Sequence, residues 1–187
     1  MLEGDATGNL LLTVLFTLVM LAAVFAASGR RFTLAVALGF AIPWLYLSWL
    51  HPLWGLDATY VVDSLLMIGL ALFVLAMVLV RVIGADQVGA DTICGAIAAY
   101  LLIGVVWAVC YGVIEALVPG SFGFTEQELE TVWTQLLYYS LVTLTTLGYG
   151  DITPIGAVAR MWSALESVTG TLYLAVLISR LVSLYRR

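Results

Sequence analysis

The sequence predicts an all-α integral membrane protein with five transmembrane helices and, between the fourth and fifth, a re-entrant half-helix followed by a loop. Three observations carry this. Of 187 residues, 63% are hydrophobic and 10% charged, against about 25% charged in a soluble domain. Apolar runs recur along the chain, long enough to cross a hydrocarbon core of about 30 Å and separated by short polar turns. Between the last two runs lies a segment too short to span, ending in Gly148-Tyr149-Gly150-Asp151. Non-helical backbone at membrane depth survives only where protein buries it or where it lines water, so this ending points to an aqueous path.

The elements follow in order. Residues 1–8 carry Glu3 and Asp5 where a secretory signal has basic residues, so 9–27 is expected to remain as a first span. Ser28-Gly29-Arg30-Arg31 turns the chain into a second span, 32–50, with a kink expected at Pro43 and Trp44, Tyr46 and Trp49 towards the far end, closed by His51-Pro52. A third span covers 61–83, with Asp63 near its start and Arg81 near its end, and a fourth covers 92–117, stopped by Pro119-Gly120. Asp63 and Glu115 fall near span ends and read as interfacial charges. In the acidic stretch that follows, Glu126, Glu128 and Glu130 lie close together. There Thr125 with Glu128 fits a capping box for a short helix over about 127–145. A last helix covers 155–185 and ends at Arg186-Arg187.

Charge placement sets the expected orientation. All seven cations are arginine. With the loop after the short helix facing outward, Arg30, Arg31, Arg81, Arg186 and Arg187 all fall on the cytoplasmic side, as the positive-inside rule requires, and Arg160 is the exception. The N-terminus is then outside and the C-terminus cytoplasmic, in a multi-pass protein of the plasma (inner) membrane. The net charge of −5 argues against nucleic acid as a partner. Cys94 and Cys110 fall on one helix about 24 Å apart, too far to bridge each other, and read as buried small hydrophobes.

The chemistry centres on residues 141–151, Leu-Val-Thr-Leu-Thr-Thr-Leu-Gly-Tyr-Gly-Asp. Glycines at 148 and 150 admit backbone conformations that turn successive carbonyls the same way. Such a run can line a pore with oxygens that replace an ion's hydration shell. The dipole at the C-terminus of the preceding short helix favours a cation beyond it.

The order Thr145-Thr146-Leu147-Gly148-Tyr149-Gly150-Asp151 resembles the potassium-channel selectivity filter, Thr-Thr-Val-Gly-Tyr-Gly-Asp, with Leu147 where that family has Val or Ile. The resemblance covers 92–187 and implies a pore domain of potassium-channel type, with outer helix 92–117, pore helix about 127–145, filter 145–151 and inner helix 155–185. Residues 1–91 would form a separate region of three helices. By resemblance, K+ is held by the Thr146 hydroxyl and the carbonyls of Thr146, Leu147, Gly148 and Tyr149, with Gly150 completing the ion-binding run. The Tyr149 ring points away from the ions and packs on the pore helix. Thr145, Asp151 and Tyr139 support the filter, Asp151 bonding to Tyr139, which stands where the family often has Trp. Val142 stands where many bacterial members have Glu, and with Leu147 it lies behind the filter. Gly170, nineteen positions after Asp151, matches the hinge glycine of the inner helix. Leu174, Ile178 and Val182 continue one face below it as a candidate constriction. Glu166 is a gating candidate or a hydrogen-bonded group behind the pore helix, and Arg180 is expected to snorkel to the inner headgroups.

The expected function is passive, potassium-selective conduction by a homotetramer in a lipid bilayer, since a ring needs about four filter loops. No catalytic residue and no cofactor beyond permeant K+ is expected. A nonselective monovalent cation channel shares this architecture. Gly148-Tyr149-Gly150-Asp151 also fits the Gly-x-Gly-Asp motif of intramembrane aspartyl proteases, but those enzymes need a second Asp after Tyr on the preceding span and keep the motif inside a helix. No Tyr-Asp pair occurs in the sequence. No span carries the repeated arginines of a voltage sensor.

Overall fold

The computed structural model describes residues 31–54, 57–124 and 132–185. In these ranges the chain forms helix α1 (Arg31–Trp54), α2 (Asp57–Ile83), α3 (Ala90–Leu117), a two-residue strand β1 (Phe122–Gly123), α4 (Val132–Leu144), β2 (Thr153–Pro154) and α5 (Ala157–Tyr185). The expected first span, the Thr125 to Glu128 capping box and the glutamates at 126, 128 and 130 lie outside the described residues.

Among the described residues three helices are long and apolar enough to cross a membrane, over 60–83, 90–117 and 157–180, while the apolar stretch of α1, Thr33–Leu47, is shorter. The boundaries around 51–60 differ from expectation. The α2 helix begins at Asp57 instead of at 61, and the proline at 52 does not close α1, which runs on to Trp54. A proline removes one backbone bond, and in membrane helices small local adjustments and neighbouring groups make good the loss, so the residue is a weaker stop there than in water.

Two compact units are present. The first runs up to Val74 and contains α1 and most of α2. Its interior is made of Ala37, Ala41, Trp44, Met67, Leu70, Ala71 and Val74. Gly69 allows the Phe40 ring to approach, since a Cβ there would lie 2.8 Å from the ring edge. Small residues at such positions let membrane helices pack closely where no hydrophobic force drives them together.

The second unit begins at Leu75 and holds the end of α2, then α3, β1, α4, β2 and α5. Its core is Tyr111, Phe122, Leu136, Tyr139, Ile152 and Ala159. Three of these rings meet edge to face, with centroids 5.2 Å apart for Tyr111 and Phe122, 5.3 Å for Tyr111 and Tyr139 and 5.3 Å for Phe122 and Tyr139. Such pairs contribute about 0.5 to 1.5 kcal/mol each beyond their burial. They join α3, β1 and α4 behind the loop that follows α4.

β1 and β2 pair antiparallel, Phe122 with Pro154 and Gly123 with Thr153. Ser121 extends the clasp, its carbonyl accepting from the N–H groups of Ile155 (2.8 Å) and Gly156 (3.1 Å). Glu115, expected as an interfacial charge, caps the turn after α3, accepting from the backbone N–H of Gly120 (2.7 Å) and of Phe122 (3.1 Å). Gly120 takes φ 82°, which favours glycine. At the other end of the unit, Arg180 donates to the Ile83 carbonyl at 2.9 Å, so it caps the C-terminus of α2.

Candidate functional site

The loop 145–151 grows out of the C-terminus of α4 through a Schellman closure. Leu147 N–H donates to the Val142 carbonyl and Thr146 N–H to the Thr143 carbonyl, both at 2.9 Å. These are the two bonds that define the motif, and they require a left-handed residue after the cap. Thr146 is that residue, with φ 59°, and among the described residues it alone is positive without being glycine. A β-branched side chain is strained there, by roughly 1 to 3 kcal/mol, and persists because the surrounding bonds over-determine it.

The positive φ values then recur at every second residue, at Gly148 (57°) and Gly150 (79°), while Leu147 and Tyr149 stay negative. In an ordinary strand successive carbonyls point to opposite sides. Reversing the hand at alternate residues cancels that alternation and turns them to one side. The residues from Thr145 to Asp151 are all exposed in the single chain. The single chain therefore leaves this alternating run uncovered.

The last carbonyls of α4 are all engaged. Leu141 accepts from Thr145 N–H at 3.1 Å and Thr145 Oγ1 at 2.7 Å. Val142 also takes Gly148 N–H, and Thr143 takes Ser167 Oγ at 3.2 Å. The Leu144 carbonyl accepts from Tyr100 hydroxyl at 3.2 Å. The helix end is thus held by its own loop, by α3 and by α5. Val142, expected to matter through its missing carboxylate, contributes the carbonyl on which the loop closes.

Gly170 sits against this end. A Cβ there would lie 2.1 Å from the Leu144 carbonyl oxygen, so α5 crosses the end of α4 at a point where no side chain fits. Leu174, Ile178 and Val182 lie on an open face of α5 below it.

Asp151 does not pair with Tyr139. Its Oδ2 accepts from the Tyr138 hydroxyl at 2.6 Å, and its Oδ1 from the N–H of Ile152 at 2.9 Å. Successive helix residues are turned about 100°, so the two tyrosines cannot serve one direction. Tyr138 is exposed towards the mouth, whereas Tyr139 is buried and bonds Ser163 Oγ at 2.5 Å. Tyr149 is 66% exposed, so α4 of its own chain alone does not supply the surface expected to cover it.

Glu166 is fully buried, and hydroxyls from two other helices meet it: Tyr111 of α3 on Oε2 and Ser140 of α4 on Oε1, both at 2.5 Å. Ser140 also reaches the Gly104 carbonyl of α3 at 2.7 Å. Sequence reasoning missed Tyr138, Ser140, Tyr111, Tyr100 and Ser167. A signal was present in α5, whose buried positions are Ala159, Ser163, Glu166 and Gly170. Small and polar residues at helical spacing on an apolar span mark the face turned to protein.

Gly148 to Asp151 lies outside any helix, after the end of α4. Residues 96–187 match the family model described as "Ion channel". That match takes in just under half of the 187 residues, and the similar proteins are potassium channels by name. The chain is 34% identical over 86 residues to the inward rectifier potassium channel Kirbac3.1 of Paramagnetospirillum magnetotacticum, covering 46% of this chain and 25% of that protein. It is 35% identical over 85 residues to two pore potassium channel c of Oryza sativa subsp. japonica, covering 46% of this chain and 17% of the relative. With two-pore potassium channel 3 of Arabidopsis thaliana it shares 40% over 47 residues, 25% of this chain and 11% of the other. The chain thus spans a quarter or less of the length of these relatives. No solved structure gives a match.

The carboxylate that ends this loop is shifted in its titration. The hydrogen bond from Tyr138, with a smaller contribution from backbone N–H groups, holds Asp151 below the usual carboxylate value of 3.8. A lowered value stabilises the ionised form, so the contact is complete above 3.8 and is lost only as pH falls through the lower folded value. Asp151→Asn and Tyr138→Phe are each expected to lower the thermal stability of the protein, while mild acid leaves the native protein unchanged through this group. Melting temperature measured against pH checks this. A fall in melting temperature between neutral and mildly acidic pH that Asp151→Asn abolishes would contradict it.

Proposed function

We propose that the chain is one subunit of a passive, potassium-selective channel in which four copies bring four filter loops around one axis. The observation that carries this reading is the alternation of backbone hand at Thr146, Gly148 and Gly150, with the intervening residues negative. A row of like-facing carbonyls can replace the hydration shell of an alkali cation only when other rows face it. The relatives are potassium channels by name, and here K+ would be held by the Thr146 hydroxyl and the carbonyls of Thr146, Leu147, Gly148 and Tyr149. Gly150 completes the run and Asp151 stands at the mouth.

The reading assigns five spans to the full chain, with the N-terminus outside and the C-terminus cytoplasmic in a plasma membrane. Residues 92–187 form the pore and 1–91 an accessory three-helix region. Gly170, Leu174 and Ile178 are the gating candidates on α5. The acidic stretch that includes Glu126, Glu128 and Glu130 would form a fourfold ring that raises the local concentration of cations.

Reconstitution in liposomes with opposed potassium and sodium gradients tests the reading. A reversal potential close to the potassium equilibrium value is expected, and cross-linking should trap a tetramer. A reversal near zero would instead make the protein a nonselective cation channel. Absence of any ion flux, with peptide cleavage that depends on Asp151, would replace conduction by proteolysis.

A further inference from the structure

We propose that Glu166 is a neutral carboxylic acid that donates its proton to Ser140, completing a bridge by which α3 and α5 together position α4 and the filter loop at its end. The inference begins from a count of protons. The Ser140 hydroxyl has one, and it faces two acceptors, the Gly104 carbonyl oxygen at 2.7 Å and Glu166 Oε1 at 2.5 Å. The Tyr111 hydroxyl has one and gives it to Oε2 at 2.5 Å.

With an ionised Glu166, one of the two Ser140 contacts must lack a proton. If Ser140 donates to Oε1, two oxygens with lone pairs stand 2.7 Å apart at Gly104 with nothing between them. If it donates to the Gly104 carbonyl, the same opposition arises at Oε1, at 2.5 Å. A proton on Oε1 resolves both. Glu166 then donates to Ser140, Ser140 donates to the Gly104 carbonyl, and Tyr111 donates to Oε2. Each short contact carries one hydrogen, as the inventory of these groups requires.

The surroundings fit an uncharged group. Glu166, Ser140 and Tyr111 are each fully buried. The ionisable neighbours that feel Glu166 are Tyr100, Cys110 and Tyr111 from α3 and Tyr139 from α4, and among the described residues no arginine faces it. A buried carboxylate with two hydroxyls and no cation carries a desolvation cost that the neutral acid avoids. The donor direction also has a structural consequence. Ser140 lies one turn before the Schellman closure at Leu144 to Leu147, so the relay through Ser140 to Gly104 sets the depth at which α4 ends and hence where the carbonyl row starts. Glu166 is a positioning residue, not a lining one.

Infrared difference spectra of the full chain in lipid, wild type minus Glu166→Gln, test the proton directly. A carboxylic-acid C=O band and no carboxylate band should appear in the wild type, and Ser140→Ala should shift the acid band because its acceptor is gone. A carboxylate band in its place, or an acid band indifferent to Ser140→Ala, overturns the proposal. Glu166→Gln reproduces one donor and one acceptor, so flux within about twofold of wild type is expected. Loss of flux, or failure of Glu166→Gln to assemble, overturns it as well. The flux arm rests on the channel reading above, whereas the infrared arm does not: a wild type that conducts no ion defeats that reading and leaves the spectrum to decide this one.

Discussion

Gly170→Ala is expected to abolish the tetramer proposed above and the ion flux proposed for it. The added Cβ would lie 2.1 Å from the Leu144 carbonyl oxygen and 3.0 Å from its carbon, both backbone atoms. A flexible side chain could swing aside, but this carbonyl is held by the Tyr100 hydroxyl and closes the helix that carries the filter loop. Overpacking typically costs about 1 to 3 kcal/mol, and a backbone obstacle puts this case at the upper end in every subunit. Gly39→Ala is the control, since no described residue lies within 4 Å of its added Cβ. Thermal dissociation of the oligomer, followed by gel mobility, should show early loss in Gly170→Ala and none in Gly39→Ala. Native stability and flux in Gly170→Ala would show that the two helices do not approach as closely as described.

Gly148→Ala is expected to damage discrimination between cations without unfolding the protein. Its Cβ meets no atom of the described residues, so the cost is conformational: φ is 57°, in the left-handed region. For an L-residue this costs roughly 1 to 2 kcal/mol. The neighbouring Thr146 bears a similar penalty because two bonds of 2.9 Å pin its turn, whereas Gly148 N–H has only a long contact of 3.4 Å to Val142. Alanine at 148 is therefore freer to revert to negative φ, which turns a carbonyl out of the row. A loss of about tenfold in potassium-over-sodium permeability corresponds to 1.36 kcal/mol and is the expected size. Reversal potentials measured on oligomers of normal stability check it. Unchanged selectivity would separate the handedness of the loop from ion choice.

Composition and run length were enough to expose the membrane helices, because burial in lipid demands long uninterrupted apolar stretches whatever packs beside them. The loop was legible too, since Gly148 and Gly150 stand where positive φ is required. What lay beyond the sequence was pairing. Tyr138 and Tyr139 are adjacent and chemically alike, and only the rotation of α4 about its axis decides that the first meets Asp151. Glu166 stood out as an acid at membrane depth, but its partners Tyr111 and Ser140 come from helices separated from it by 55 and 26 residues. Gly170 matched a family position. Its close contact with Leu144 depends on the crossing of two helices and is invisible in either one alone.

The clasp of β1 and β2 has a mechanical meaning. Residues 124–152 leave and return through its two paired positions, and the Ile155 and Gly156 N–H groups are tied to Ser121 immediately below. A pull along α5 meets those bonds first and is passed across to the turn after α3. The clasp works as a strain relief does on a cable: tension in the spans is taken up at the fastening, and the oxygens inside the closed excursion can keep their spacing while the helices around them move.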